Sequence, residues 1–160
     1  MTTKETGFYS DVMKALKKIN GTRIDVGYFE GDNYTRRKII HKNIDKPINP
    51  PIPMANVAFW LDKGTTRIPE RPFLSPLFVE QNLKYRKLSR EYAFEVLSGR
   101  WSIDKMMKRL GSLMISDVKL KMTEIRVPPN SPEWQKIKGF DNPLILNGWL
   151  RANTKFKVHK

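Results

Sequence analysis

Few residues in this chain have the types and spacings that support catalysis. Its only histidines are His41 and His159, and neither falls in a metal-ligand spacing or beside a nucleophile motif. Glu91 and Glu95 share a helical face at i, i+4, but basic neighbours suit them to surface ion pairing rather than to an acid/base couple. Gly21, Gly27 and Gly31 are too spread for G-x-G-x-x-G, and no G-K-[ST] occurs, so no phosphate-cradling loop is expected. The chain has no cysteine, which removes disulfides, zinc knuckles and thiol chemistry and suits a reducing compartment. The expectation is a protein with no catalytic residues, cofactor or metal, one that works by contact.

Charge is the stronger signal. Among 160 residues, 30 Lys and Arg face 16 Asp and Glu, a formal net charge of +14. Residues 81–160 hold 17 basic and 7 acidic residues, so about +10 of that surplus lies in the second half. Such a surplus favours acidic partners: nucleic acid, an anionic membrane or a negative protein surface. No apolar run approaches a membrane span, and Met1-Thr2-Thr3-Lys4-Glu5 opens no signal peptide. A soluble protein made in the cytoplasm, without membrane association, is expected.

The elements that position these charges read as an α+β domain covering 1–160. Val12, Met13, Leu16 and Ile19 predict a helix over 8–19, stopped in left-handed fashion by Asn20-Gly21. Ile24, Val26 and Tyr28 alternate as a strand. Residues 31–53 carry Arg36-Arg37-Lys38 and Pro47, Pro50, Pro51 and Pro53 without core-forming periodicity, and read as an extended loop or arm. A short helix follows over 54–62, ended by Gly64. Pro69, Pro72 and Pro76 then forbid regular helix through 65–76.

A long antiparallel helical hairpin is expected over 76–122. Leu83, Tyr85, Leu88, Tyr92 and Val96 form the stripe of its first helix. Ser102 caps the second, which carries Ile103, Met106, Leu110, Leu113 and Met114. Residues 128–143 read as a second extended proline-rich loop. A small antiparallel or mixed sheet is expected from segments near 23–29, 125–127 and 155–159. Tyr85, Tyr92 and Trp101 lie among basic residues, as in non-sequence-specific nucleic-acid binders, but they fall on the apolar stripe, where core packing is the ordinary use.

Two segments are more particular. One is Ala55-Asn56-Val57-Ala58-Phe59-Trp60-Leu61-Asp62-Lys63-Gly64-Thr65 followed by Ile68-Pro69-Glu70-Arg71-Pro72-Phe73-Leu74. It reads as a helix stopped by glycine and an extended strap that inserts Phe73 and Leu74 into a core and holds Arg71 out towards a neighbouring carboxylate or chain. The other is Asn142-Pro143-Leu144-Ile145-Leu146-Asn147-Gly148-Trp149-Leu150-Arg151, a late apolar turn before a closing strand. In this order around two long helices, they resemble the neck and tail-completion proteins of tailed bacteriophages. That family carries a small helix, Gly-Thr and Pro-x-Arg-Pro-Phe-Leu, then Pro-Leu-x-x-[Thr/Asn]-Gly-x-Leu before the last strand. Asn147 stands where threonine is more usual, and Trp149 where arginine is common.

The resemblance implies a non-enzymatic virion protein of tail completion or head–tail joining. It would act as a homo-oligomer, a hexameric ring around the tail axis, against neighbouring neck, tail-terminator, tail-tube or connector proteins, with possible contact to channel DNA. Closure of such a ring requires heterologous contacts. The residues expected at those contacts are Arg36, Arg37 and Lys38 in the arm, Arg71, Pro72 and Phe73 in the strap, Trp134 in the 128–143 loop, and Asn147, Gly148 and Trp149 in the late turn. The alternative reading is a basic, non-sequence-specific nucleic-acid-binding protein.

Overall fold

The structure, a computed structural model, describes residues 3–39 and 44–160; His41 lies outside the described residues. The fold is α+β, with seven helices and two two-stranded sheets among the described residues. The chain forms two compact units, each built from separated segments.

The first unit holds residues 1–26, 80–114 and 156–160. Its first helix, α1, spans Thr3–Asn20 and packs on α4, Asn82–Leu97. The end of α1 departs from the expected left-handed stop, because Gly21 does not take positive φ. Instead Thr22 closes the last turn, donating its amide and its hydroxyl to the Ile19 carbonyl at 3.1 and 2.7 Å. Strand β1, Arg23–Gly27, pairs with the closing strand β4, Lys155–His159. Between them His159 Nε2 meets Asp25 at 2.9 Å, so this histidine has a local structural partner.

Residues 98–102 join α4 to α5, Ile103–Glu124, and Ser102 Oγ accepts from the Lys105 amide at 3.1 Å, as the capping reading requires. Met106 and Leu110 of the expected stripe are buried. Gly111 lets α5 approach β4 closely: a Cβ there would stand 2.5 Å from the Phe156 ring.

The second unit holds residues 27–79 and 115–155. Here the expected arm at 31–53 is corrected. β2, Asn33–Ile39, and β3, Ile44–Pro53, form an antiparallel ribbon. Four prolines hid it. A two-stranded ribbon leaves each strand one unpaired edge, where a residue without an N–H costs no ladder bond. The register slips between Tyr34, opposite Ile52, and Arg36, opposite Pro47, so residues 48–51 bulge across from Thr35. Helix α2, Met54–Lys63, packs on β3 and ends at Gly64 with φ 74°.

Three further corrections follow from backbone chemistry. The first helix of the hairpin expected over 76–122 is two helices, α3 (Ser75–Glu80) and α4, with a turn at Gln81. Residues 125–127 form no strand. The 128–143 loop contains α6, Pro132–Lys138, with Pro132 in its first turn and Ser131 capping it by accepting from the Trp134 amide at 3.2 Å. A last short helix, α7 (Trp149–Ala152), precedes β4.

Candidate partner interface

The strap after α2 is held by Asp62. This aspartate is 4% exposed and accepts from the amides of Phe73 (2.9 Å), Leu74 (2.8 Å) and Ser75 (3.3 Å), and from the Ser75 hydroxyl. Burial pushes its carboxyl up, but these hydrogen bonds together hold it below the usual range, so it stays an anion. Gly64 completes the corner. A Cβ there would stand 2.9 Å from the Glu70 nitrogen and 3.0 Å from the Ile68 carbonyl oxygen, in a conformation side chains already resist. Phe73, at 0% exposed, is driven into the core as expected.

Arg71 does not reach out. It is buried, and its Nε and Nη2 donate to the carbonyls of Pro128 and Pro129 at 2.7 and 2.8 Å. The extended backbone that a following proline enforces is present, but it aims the guanidinium inward at carbonyls that no longer have a helix or strand to bond. Beyond them, Asp141 Oδ1 accepts from the Asn130 amide and side chain at 3.3 and 3.0 Å. Lys138, also buried, donates its ammonium to the Asn142 carbonyl and lies 4.9 Å from the Phe140 ring centre. Burial pulls Lys138 down to about 8, Asp141 pulls it back up, and Arg71 lowers it further.

The strap and the late turn meet in one cleft of about 300 Å³ in the second unit. Trp60 and Leu61 of α2 and Ile68 of the strap form one wall. Pro143, Leu146, Asn147, Gly148 and Trp149 form another, with Trp134 of α6 and Tyr34, Ile48 and Ile52 of the ribbon closing it. Three of the four tryptophans in the chain line this space.

The turn is fixed by its own residues. Gly148 takes φ 76°, Asn147 Oδ1 accepts from the Trp149 amide at 3.1 Å, and Asn147 Nδ2 donates to Tyr34 Oη at 3.2 Å. Trp149 stands edge-on to Tyr34 with ring centres 5.5 Å apart. A positioned aromatic wall of this kind is suited to take an apolar anchor from another molecule.

Of the residues expected at an interface, Trp134, Asn147, Gly148 and Trp149 are therefore brought together. Arg71 and Phe73 are buried within the chain and act as internal pins, while Pro72 between them is exposed. Arg36, Arg37 and Lys38 lie on β2 opposite Pro47, Lys46 and Asp45, and their side chains lie outside the described groups. Sequence reasoning missed the parts played by Asp62, Trp60, Tyr34 and Lys138. The signal for Asp62 was its position just before Gly64, where a carboxylate can reach the amides of a returning strap. Tyr34 carried no signal, because its neighbour Trp149 is distant in sequence.

Among the described residues no group of three His, Asp or Glu side chains is placed to hold a metal ion, and no helix is long and apolar enough to cross a membrane. No family model, curated protein or solved structure matches the chain.

Proposed function

We propose that this chain is a non-enzymatic structural protein of the tailed-bacteriophage neck, acting in tail completion or head–tail joining as several copies, a hexameric ring, around the tail axis. One observation carries the reading. The two segments that resemble the neck family, around Trp60–Leu61–Ile68 and around Pro143–Trp149, are far apart in sequence yet line the same cleft. Residue patterns that converge on one aromatic surface are what a shared partner-binding task demands of a fold.

The ribbon beside the cleft supports the same reading. It bears Arg36, Arg37 and Lys38 and presents paired backbone with one free edge on each strand, the form used for strand addition between chains. The net charge of +14 suits acidic faces of neighbouring ring proteins or DNA in the channel.

The test is electron microscopy of lysates from a phage carrying a nonsense codon in this gene. DNA-filled heads and normal-length tails accumulating separately are expected. Tails of abnormal length would move the protein towards tail termination. Intact, joined particles would refute the neck reading and favour a basic nucleic-acid binder, whose DNA affinity must fall steeply with salt.

A further inference from the structure

The first unit carries a surface that the cleft does not explain. On α4, Leu83, Arg86, Lys87, Arg90 and Phe94 follow at i, i+3, i+4, i+7 and i+11, which places them on one face about 16 Å long. The opposite face holds Tyr85, which is buried, and Leu88, Tyr92 and Val96, which are half-buried. All five residues of the first face are exposed, Leu83 at 82% and Phe94 at 64%. Arg86, Lys87 and Arg90 make no side-chain ion pair among the described residues. The only acid on the exposed surface of α4 outside its ends is Glu91, at the border of the strip. At the far end Arg100 lies 5.6 Å from the Phe94 ring centre while paired to Glu95 at 2.6 Å.

We propose that this face of α4 is a docking strip for an acidic amphipathic helix of a different protein. Three unpaired cations select an anionic partner. The two apolar side chains that bracket them select further: a phosphate backbone would satisfy the cations but leave Leu83 against polar or charged surface. A helix carrying Glu or Asp between apolar residues at the same spacing satisfies both, laying its apolar positions on Leu83 and Phe94. A second copy docking α4 against α4 is the wrong partner, because Arg86, Lys87 and Arg90 would then face the same three cations. The inference stands on the geometry of α4 and is independent of the phage reading.

The test uses the full-length chain and three labelled probes in fluorescence anisotropy. These are a four-turn helical peptide with Leu at the matching positions and Glu between them, the same peptide with Ser for Leu, and a short DNA duplex. The Glu/Leu peptide is expected to bind at least about tenfold more tightly than the Glu/Ser peptide. Its binding should weaken at least about tenfold both in Arg86→Glu/Lys87→Glu/Arg90→Glu and in Leu83→Ser/Phe94→Ser, with circular dichroism of each variant unchanged.

Equal binding of the two peptides, or indifference to either variant, would overturn the proposal. So would duplex binding that is lost in Leu83→Ser/Phe94→Ser, which would give the strip to nucleic acid. Self-association of the free chain that the same variant abolishes would give it to a second copy and overturn it equally.

Discussion

The ribbon at 33–53 and the segment at 128–143 are alike in sequence, both rich in proline and both poor in apolar periodicity, yet they are held in opposite ways. The ribbon is held by its own backbone, strand against strand, and most of the described β3 side chains are exposed. The 128–143 segment has no strand pairing, and side chains pin it: Arg71 on two proline carbonyls, Asp141 on Asn130, Lys138 on Asn142, and Asn142 Nδ2 on the Thr123 carbonyl at 3.2 Å. Proline removes donors and leaves carbonyls wanting partners. One segment answers by choosing positions where the lost donor does not matter, the other by bringing cations and amides to the carbonyls. Only the second makes its conformation depend on a few buried groups.

The largest expected effect that follows is from Arg71→Met. It leaves the Pro128 and Pro129 carbonyls without their donors inside the protein and should cost about 3 kcal/mol. Urea denaturation measures the loss, and limited proteolysis should show new cleavage within 128–143 while the ribbon's cleavage pattern is unchanged. If the ribbon opens as readily, the two segments are not independently held.

Lys138 gives a pH signature to the same knot. Its folded pKa, about 8, lies below the unfolded value, so between the two the unfolded chain binds more protons and stability rises with pH. The window is about pH 8 to 10. Above that Tyr28, which burial raises to about 12 against its hydrogen bond to Thr154, reverses the sign, because the unfolded tyrosine releases its proton first. Thermal unfolding from pH 7.5 upward should show the rise in the native chain and not in Lys138→Met.

Tyr34→Phe keeps the ring against Trp149 and removes the hydroxyl that accepts from Asn147, so a loss of about 1 kcal/mol is expected, read in the denaturation midpoint. Lys46→Ser, at an exposed position of the ribbon, should change stability by less than about 0.5 kcal/mol. A loss approaching that of Arg71→Met would end the contrast between the two segments.

These two segments also mark where the fold was legible. Helices with clear stripes and their own stops, such as α2 before Gly64 and α5 after Ser102, could be read directly because periodicity and capping are local. The β1–β4 strands could be read for the same reason. The ribbon could not, since proline normally argues against a strand and the exception depends on having a free edge. The inward turn of Arg71 was also hidden: its extended backbone was foreseeable, but the carbonyls it meets lie far along the chain. Of the candidate site, Asn147, Gly148 and Trp149 were visible as a turn with an aromatic, whereas the cleft itself is a product of tertiary convergence.

That convergence sets a timetable. One wall of the cleft is made early, from Trp60, Leu61 and Ile68, and the other only when Pro143 to Trp149 has left the ribosome. A growing chain that has released Trp60 but not Pro143 to Trp149 therefore lacks one wall, and its tryptophan is unopposed. The cleft is closed only when that late turn has folded back beside α2 and the ribbon, so a chain arrested before residue 143 would carry an open face in its place.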